Sequence, residues 1–247
     1  MQSDPFPTTH WSVIIAAGRS QVGPETAKAA LAQLCETYWT SLYTFVRSRG
    51  HSMHDAQDLT QGFFAYLIEH KIYARTDRQK GKFRSFLLAS LKNFLADSRD
   101  REQALKRGGA YDFLPLNEWQ IDEAESLFQT HFAAGEPNSE DRLFERSWAE
   151  ALVAAGLDHL ARAYRADGKE KLFAELKIFL TGGAEPLPSY AELAARLGTL
   201  ASTLRSHVTR LRTQYREALR AEVRRTVDTD AEVDGELREL LRVLTSG

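Results

Sequence analysis

Apolar residues recur at helical spacing along most of this chain of 247 residues. Between Pro24 and Gly50 they fall three or four positions apart, which places them on one face of an α-helix. Proline is well tolerated as the first residue of a helix, and glycine often ends one. The stretch therefore predicts a helix whose buried seam consists of Leu31, Leu34, Cys35, Tyr38, Leu42, Phe45 and Val46.

The next predicted helix, DAQDLTQGFFAYLIE at residues 55–69, has apolar residues on two faces. Ser52 followed by Asp55 is typical of a helix N-cap. At about 100° per residue, Phe64 and Ile68 project nearly opposite to the main stripe. These two side chains either contact a partner or are covered by the linker or the N-terminal arm of this chain. The main stripe, predicted to be buried, consists of Ala56, Leu59, Phe63 and Leu67.

The remaining periodicity is also helical, apart from a segment with several glycines and prolines at residues 107–140. We interpret this segment as a linker that could contain one short helix, because it is longer than the usual connection. No strand and no internal repeat is recognisable. The sequence therefore predicts an all-α fold with two helical domains, arranged as an N-terminal arm (1–23), a first domain (24–106), an acidic linker (107–140), a second domain (141–225) and an acidic C-terminal tail (226–247).

Charge is distributed in blocks, although the formal net charge is only −2. Residues 71–107 carry eleven Lys and Arg against four acids, and residues 202–225 carry seven Arg against two acids. Residues 112–145 and 226–247 are acidic. Such asymmetry suggests contact with nucleic acid more strongly than the net charge does. One hypothesis is that the tail folds back over the basic block before it and competes with phosphate; the alternative is an inert terminal helix.

Enzymatic, metal-binding and membrane functions find little support. The chain lacks a Gly-rich phosphate loop, a nucleophile elbow and a Glu-x-x-His pair, so neither catalysis nor a cofactor is predicted. The single cysteine, Cys35, excludes an intramolecular disulfide and a Cys-based zinc site. No stretch reaches the roughly 18 apolar residues of a membrane span, and no signal peptide is recognisable. A cytoplasmic protein without a membrane partner is expected.

The most specific pattern is SYAELAARLGTLASTLRSHVTRLR, which begins at Ser189. A short helix ends at Gly198, whose backbone freedom allows a second helix to cross the first steeply. This is the layout of a helix-turn-helix, in which the second helix enters the major groove of DNA. The inward positions are Tyr190, Leu193, Ala194 and Leu197 on the first helix and Leu204, Val208, Leu211 and Tyr215 on the second.

The outward face of the second helix is polar and basic. Arginine suits DNA because its planar guanidinium group binds phosphate and guanine edges. The alternative is a solvated basic face on a helical hairpin. Ser202 is also expected to cap the helix. The candidate DNA-contacting residues are Ser202, Thr203, Arg205, Ser206, Thr209, Arg210 and Arg212.

Two separate blocks resemble bacterial RNA polymerase sigma factors of the extracytoplasmic-function group. YAELAARLGTLASTLRSHVTRLR is similar to the region 4 helix-turn-helix, which reads the minus-thirty-five promoter element. LCETYWTSLYTFVRSRGHSMHDAQDLTQGFFAYL and GKFRSFLLASLKNFLADSRDRE are similar to region 2, which binds core polymerase and melts and reads the minus-ten element. The resemblance implies a transcription initiation factor. Its partners would be promoter DNA, the β′ clamp helices and β flap of core RNA polymerase, and in some cases an anti-sigma factor or a Ser/Thr kinase. The nearest alternative is a helix-turn-helix regulator that does not bind core polymerase.

The resemblance also assigns residues of the first domain. Cations there would hold phosphates, and planar or polar groups would capture unpaired bases. A capping or core role is the alternative for the last two minus-ten residues. The expected minus-ten contacts are Arg78, Lys80, Lys82, Arg84, Asn93 and Asp97. The expected polymerase contacts are Asp55, Asp58, Gln61, Phe64 and Ile68.

Thr60 carries a separate hypothesis about regulation. The family usually has Glu at the positions of Gln57 and Gly62, and a phosphate on Thr60 would add about −1.5 to −2 charges. We therefore expect the protein to bind core polymerase weakly until a Ser/Thr kinase phosphorylates Thr60. The alternative is that Thr60 merely replaces an aliphatic residue at a half-buried site.

Overall fold

The computed structural model describes residues 37–70, 82–105, 118–133, 140–181, 187–227 and 229–245. Every regular element in these ranges is a helix, so the predicted all-α class is confirmed there. The helices are α1 (37–48), α2 (Met53–Glu69), α3 (Phe83–Leu105), α4 (Glu118–Ala133), α5 (Glu140–Ala166), α6 (Glu170–Leu176), α7 (Ile178–Thr181), α8 (Tyr190–Arg196), α9 (Ala201–Thr226) and α10 (Asp230–Thr245).

The chain divides into two compact units, and α5 and α9 contribute residues to both. Unit 1 comprises Met1–Ala151 together with Arg224–Gly247, and unit 2 comprises Leu152–Val223. These bounds differ from the predicted domains. The first turns of α5 belong to unit 1 because Phe144 and Trp148 are buried in its core.

Helix α1 forms the centre of unit 1. The predicted seam is confirmed for Tyr38, Leu42, Phe45 and Val46, which are all buried. The rest of that seam and the predicted helix start at Pro24 lie outside the described residues. Burial extends around the circumference of α1, since Trp39, Ser41, Tyr43 and Thr44 are buried as well. A helix buried on all sides is surrounded by other elements, so α1 provides apolar surface for its neighbours in every direction.

Helix α2 begins as predicted. The backbone N–H of Asp55 donates to Ser52 Oγ at 3.1 Å, and this hydroxyl in turn donates to the Asp55 carboxylate at 2.6 Å. These hydrogen bonds lower the pKa of Asp55. Ser52 is therefore the N-cap, and it satisfies an N–H group that has no partner within the helix. Of the predicted stripe, Ala56, Phe63 and Leu67 are buried and Leu59 is half-buried.

The predicted linker contains a full helix, α4, of 16 residues. Its Ala124 and Phe128 are buried in unit 1, so the helix that the linker interpretation allowed is longer than expected and packs into that unit. Two polar residues, Glu125 and His131, are also buried. Because these polar residues occupy buried positions, the apolar spacing of α4 is weak and did not reveal the helix.

Glu125 attaches α4 to α1 through a buried carboxylate. Arg47 donates to Glu125 from Nε and from Nη2, both at 2.8 Å, and Tyr43 Oη donates at 2.5 Å. The Arg47 guanidinium also lies 4.5 Å from the centroid of the Phe128 ring. The hydrogen bonds from Arg47 lower the pKa of Glu125 to about 2, against the opposing effect of burial. Charged Glu125 thus stabilises unit 1.

Glu125→Gln is expected to flatten the dependence of stability on pH in acid. The carboxyl pKa of Glu125 falls from 4.5 to about 2 on folding. Its stabilising effect is therefore complete above about pH 4.5 and is lost as the pH falls towards 2. At neutral pH the variant should lose about 1–3 kcal/mol of unfolding free energy, since charged hydrogen bonds are removed. Urea unfolding at several pH values measures this. Parallel pH profiles for the two proteins would contradict the assignment.

The C-terminal tail belongs to unit 1. In α10, Val233, Glu236 and Leu240 are buried. The carboxylate of Glu236 pairs with Arg84 and lies 3.4 Å from Lys82 Nζ. The buried contacts described for this tail lie within unit 1, and its predicted competition with phosphate on the basic block stays a hypothesis. Glu236 holds α10 against the start of α3.

In unit 2 the second half of α5 packs against the helix-turn-helix. Gly156 lets α9 approach α5 closely, since a Cβ there would lie 3.4 Å from Cε2 of Tyr215 and 3.5 Å from Cα of Leu219. Tyr164 Oη donates to Gln214 Oε1 at 2.9 Å and links the same two helices. The core of this unit consists of Leu160, Tyr164, Phe173, Leu176, Leu193, Ala194, Leu204, Val208 and Leu211.

Candidate nucleic-acid interface

The first helix of the helix-turn-helix, α8, starts at a capping box. Glu192 N–H donates to Ser189 Oγ at 3.2 Å, and Ser189 N–H donates to Glu192 Oε2 at 2.9 Å. These hydrogen bonds lower the pKa of Glu192. The helix ends before Gly198, which adopts φ 62° and so directs the chain into the turn. The capping box therefore fixes the start of α8, and the positive φ of Gly198 fixes its exit.

The inward faces of both helices are as predicted. Leu193 and Ala194 of α8 are buried together with Leu204, Val208 and Leu211 of α9. The three remaining predicted inward residues are half-buried and pack against the same core: Tyr190, Leu197 and Tyr215. This packing holds α9 with its opposite face turned outward.

Helix α9 begins earlier than expected, and Ser202 is not its cap. Leu204 N–H donates to Leu200 C=O at 3.0 Å, which makes Leu200 the N-cap. The turn is short because Thr199 N–H already bonds back to Ala194 C=O at 2.9 Å. Ser202 thus lies in the first turn of α9, where its exposed side chain is still directed to solvent.

The outward face of α9 is open to solvent. In the part of the chain that the structure describes, Arg205, Arg210 and Arg212 form no ion pair with a carboxylate. By contrast, Arg224 near the end of the same helix pairs with Asp230. All seven predicted residues are exposed: Ser202, Thr203, Arg205, Ser206, Thr209, Arg210 and Arg212. The face thus presents arginine charge that no acid among the described residues pairs with.

The hydroxyl groups on this face retain acceptor capacity. Ser206 Oγ donates to Ser202 C=O at 3.3 Å, and Thr209 Oγ1 donates to Arg205 C=O at 3.0 Å. Each hydroxyl oxygen keeps lone pairs that are not used within the helix. The face therefore combines guanidinium donors with hydroxyl acceptors, which together match the edges of base pairs.

Arg84 is not available for the minus-ten contact that the resemblance implies. It is only 4% exposed, and it pairs with Glu145 and Glu236. Its Nε donates to Glu145 Oε2 at 2.6 Å, and its guanidinium lies 4.2 Å from the centroid of the Trp148 ring. The prediction for Arg84 is wrong because both its charge and its planar surface are used inside unit 1.

Burial and the nearby charges together shift the pKa values of Arg84, Glu145 and Tyr38. Burial opposes the charge of Arg84, but the carboxylates of Glu145 and Glu236 outweigh that effect and raise the pKa of Arg84. Burial raises the pKa of Glu145 despite the adjacent guanidinium. Burial likewise raises the pKa of the neighbouring Tyr38 above its usual range. The pair of Arg84 with Glu236 is therefore buried on both sides, and removing one partner of such a pair is costly.

The other minus-ten residues are placed as follows. Lys82 is exposed and near Glu236, and Asn93 and Asp97 are exposed on α3. Arg78 and Lys80 lie outside the described residues. Phe83 and Phe94 are buried, so these rings belong to the core. The described part of unit 1 therefore offers Asn93 as an exposed polar candidate but no cluster of open cations.

The predicted polymerase contacts on α2 differ in how far each is buried. Asp55 and Asp58 are exposed and Gln61 is half-buried. Phe64 is only 2% exposed, and its ring stacks on Trp39 with centroids 6.2 Å apart. The prediction of Phe64 as a partner contact is wrong, because α1 of the same unit covers it. The side chain of Ile68 lies outside the described part of the structure.

Thr60 is fully buried rather than half-buried, and its hydroxyl donates to Ala56 C=O at 2.7 Å. A kinase needs the hydroxyl oxygen at the surface, so the folded chain does not present Thr60 for phosphorylation. The hypothesis of a phosphorylation switch at this position is therefore not supported by the structure. Thr60 instead satisfies its own hydroxyl within α2, as helical threonine commonly does.

Tyr190 lies beside the candidate interface, although the sequence placed it only in the core. Its ring is half-buried, and the guanidinium of Arg205 lies over it. An aromatic residue at the first position of α8 and an arginine near the start of α9 were the only signal. That signal identifies no contact without the turn geometry that brings the two together.

Comparison with known proteins adds no identity. No protein-family model, no curated protein and no solved structure matches this chain. Among the described residues, no three His, Cys, Asp or Glu side chains are grouped so that they could hold a metal ion. Nor is any described helix long and apolar enough to cross a membrane.

Proposed function

We propose that this protein is a transcription initiation factor that binds core RNA polymerase and directs it to promoters through minus-ten and minus-thirty-five contacts. The observation that supports it best is the exposed outward face of α9. On that face Arg205, Arg210 and Arg212 lie without carboxylate partners among the described residues. Helix α9 is the second helix of a helix-turn-helix, and such a helix binds in the major groove.

The polymerase-binding part of the proposal rests on the polar face of α2. Asp55 and Asp58 are exposed there, where the resemblance expects anchors for the β′ clamp helices. The burial of Phe64 removes the apolar contact that was expected beside them. This observation favours a second candidate function, a helix-turn-helix regulator that binds DNA without core polymerase.

Capture of core polymerase separates the two functions. Purified full-length protein is immobilised and incubated with core RNA polymerase, and retained β and β′ subunits are measured. Transcription in vitro with the same core enzyme, followed by sequencing of the start sites, identifies the promoter. A transcription initiation factor retains β and β′ and yields defined starts. Retention of neither subunit, with DNA binding intact, would establish the regulator instead.

Arg205→Ala and Arg210→Ala are each expected to weaken binding to the identified minus-thirty-five duplex by about 1–3 kcal/mol. A guanidinium that reads a base edge contributes only when the correct base is present, so binding to a scrambled duplex should change less. Fluorescence anisotropy with both duplexes measures the two affinities.

Arg162→Ala is the matched control for charge, because Arg162 is exposed on α5 and pairs with Asp158. It should leave both affinities almost unchanged. Equal losses on the identified and scrambled duplexes for Arg205→Ala would show that this residue contacts phosphate and reads no base.

A further inference from the structure

Arg205 is restrained by an aromatic ring from the preceding helix. Its guanidinium carbon lies 5.7 Å from the centroid of the Tyr190 ring, within the range of a cation–π contact. Both residues belong to the helix-turn-helix, Tyr190 as the first residue of α8 and Arg205 near the start of α9. The contact therefore spans the turn.

The ring that holds Arg205 is itself fixed. Tyr190 stacks on Phe179 of α7, with ring centroids 5.2 Å apart and the planes only 4° from parallel. Both rings pack against the core of unit 2. One face of the Tyr190 ring is thus occupied by Phe179, and packing leaves the ring little freedom to turn away from Arg205.

The backbone that carries the ring is fixed as well. The capping box between Ser189 and Glu192 sets the backbone at the start of α8, where Tyr190 is the next residue after the cap. The hydroxyl of Tyr190 forms no hydrogen bond with any residue in the described ranges. Its aromatic surface, rather than its hydroxyl group, is therefore what Tyr190 contributes here.

We propose that Tyr190 is a positioning residue that holds the Arg205 guanidinium ready to contact a base edge, with Phe179 as its support. This inference rests on the proposed contact between α9 and promoter DNA. A free arginine side chain loses many rotamers when it binds, whereas a restrained one loses fewer. Restraint by Tyr190 therefore favours DNA contact and directs Arg205 to one position along the groove.

Tyr190→Leu tests this role, and Tyr190→Phe is its matched control. Leucine fills part of the core but lacks the π face, whereas phenylalanine keeps that face and removes only the hydroxyl. The probes are the duplex that wild-type protein enriches from randomised oligonucleotides and a scrambled duplex of equal composition. Tyr190→Leu should bind the enriched duplex about two- to fivefold more weakly, with little change on the scrambled one. Tyr190→Phe should match wild type.

The same measurement in the Arg205→Ala background isolates the contact. If Tyr190 acts through Arg205, Tyr190→Leu should cause no further loss there. An unchanged affinity of Tyr190→Leu, an equal loss with and without Arg205, or a loss in Tyr190→Phe as large as in Tyr190→Leu would each overturn the inference. Circular dichroism of all variants checks that the helices remain folded.

Failure of the proposed function gives a different result. If wild-type protein enriches no duplex, either alone or bound to core polymerase, α9 does not read DNA, and the role of Tyr190 falls with the proposed function. If wild type enriches a duplex and Tyr190→Leu binds it equally well, only the positioning role is refuted. A further measurement reports the contact directly. The Nε–H resonance of Arg205 should be displaced by the ring in wild type and Tyr190→Phe but not in Tyr190→Leu.

Discussion

Arg84→Ala is expected to lower the free energy of unfolding by about 3–5 kcal/mol, the range for breaking a buried ion pair from one side. The substitution removes a guanidinium that is 4% exposed and takes away the cation that pairs with both Glu145 and Glu236, so that among the described residues only the contact of Glu236 with Lys82 at 3.4 Å remains. It also removes the surface that covers the Trp148 ring at 4.2 Å. Each of these losses destabilises the contact of α3 with α5 and α10.

Urea unfolding of wild type and variant at neutral pH measures this difference. Arg196→Ala is the control, because Arg196 pairs with Glu175 at 2.8 Å but its side chain is 60% exposed. Such surface pairs contribute at most about 1 kcal/mol. A comparably small loss for Arg84→Ala would show that water already solvates Arg84. The residue would then be free to contact DNA as the sequence suggested.

Neutralising Glu236 as well distinguishes an ion pair from simple loss of packing. In Arg84→Ala, the two carboxylates repel each other, so adding Glu236→Gln should recover part of the lost stability. If Arg84 acted only by covering Trp148, the second substitution should make the protein less stable than the single variant.

The sequence correctly predicted the helix faces that follow from helical periodicity alone. In α9, Leu204, Val208 and Leu211 follow the helical repeat and are buried, while Arg205 and Arg210 fall between them and are exposed. The N-cap at Ser52 likewise needs only residues close in sequence. Helix faces set by neighbouring positions can therefore be predicted from the chain alone, although the N-cap of α9 is Leu200 and not the predicted Ser202.

The failures at Arg84 and in the predicted linker share one physical cause, which is polar side chains buried with partners distant in sequence. Arg84 meets Glu236 across 152 positions, and Tyr43 meets Glu125 across 82. A charged residue in a helical pattern is assigned to the exposed face. A partner of opposite charge can nevertheless make its burial favourable. The same effect hid α4, in which Glu125 occupies a buried position.

The second apolar face of α2 shows a different reason why a sequence-based prediction failed. Its sequence left two occupants open, a partner protein or another segment of this chain. The linker and N-terminal arm were the segments considered, whereas the structure covers Phe64 with Trp39 of α1. Trp39 lies outside the predicted seam of α1, because a single seam was assumed for a helix that is buried all round.

Phe64→Ala is accordingly expected to destabilise the protein by about 3–5 kcal/mol, as removal of a buried phenylalanine typically does. The Phe64 ring is 2% exposed and lies beside the rings of Trp39 and Phe63, with centroid distances of 6.2 and 5.9 Å. Met53→Ala on the same helix is the control, since Met53 is 47% exposed. Its unfolding free energy in urea should stay within about 0.5 kcal/mol of wild type.

Polymerase capture by a folded variant then decides how Phe64 relates to the proposed function. Phe64→Leu keeps most of the apolar volume, so the fold should persist, and core polymerase should be retained as by wild type. The exposed pair Asp55 and Asp58 would then carry the contact, and Asp58→Ala should reduce retention while stability changes little, because Asp58 is exposed and lies 3.9 Å from His54. If instead Phe64→Ala kept its stability but lost the β and β′ subunits, Phe64 would face the polymerase, and α2 would have to open away from Trp39 when the two proteins bind.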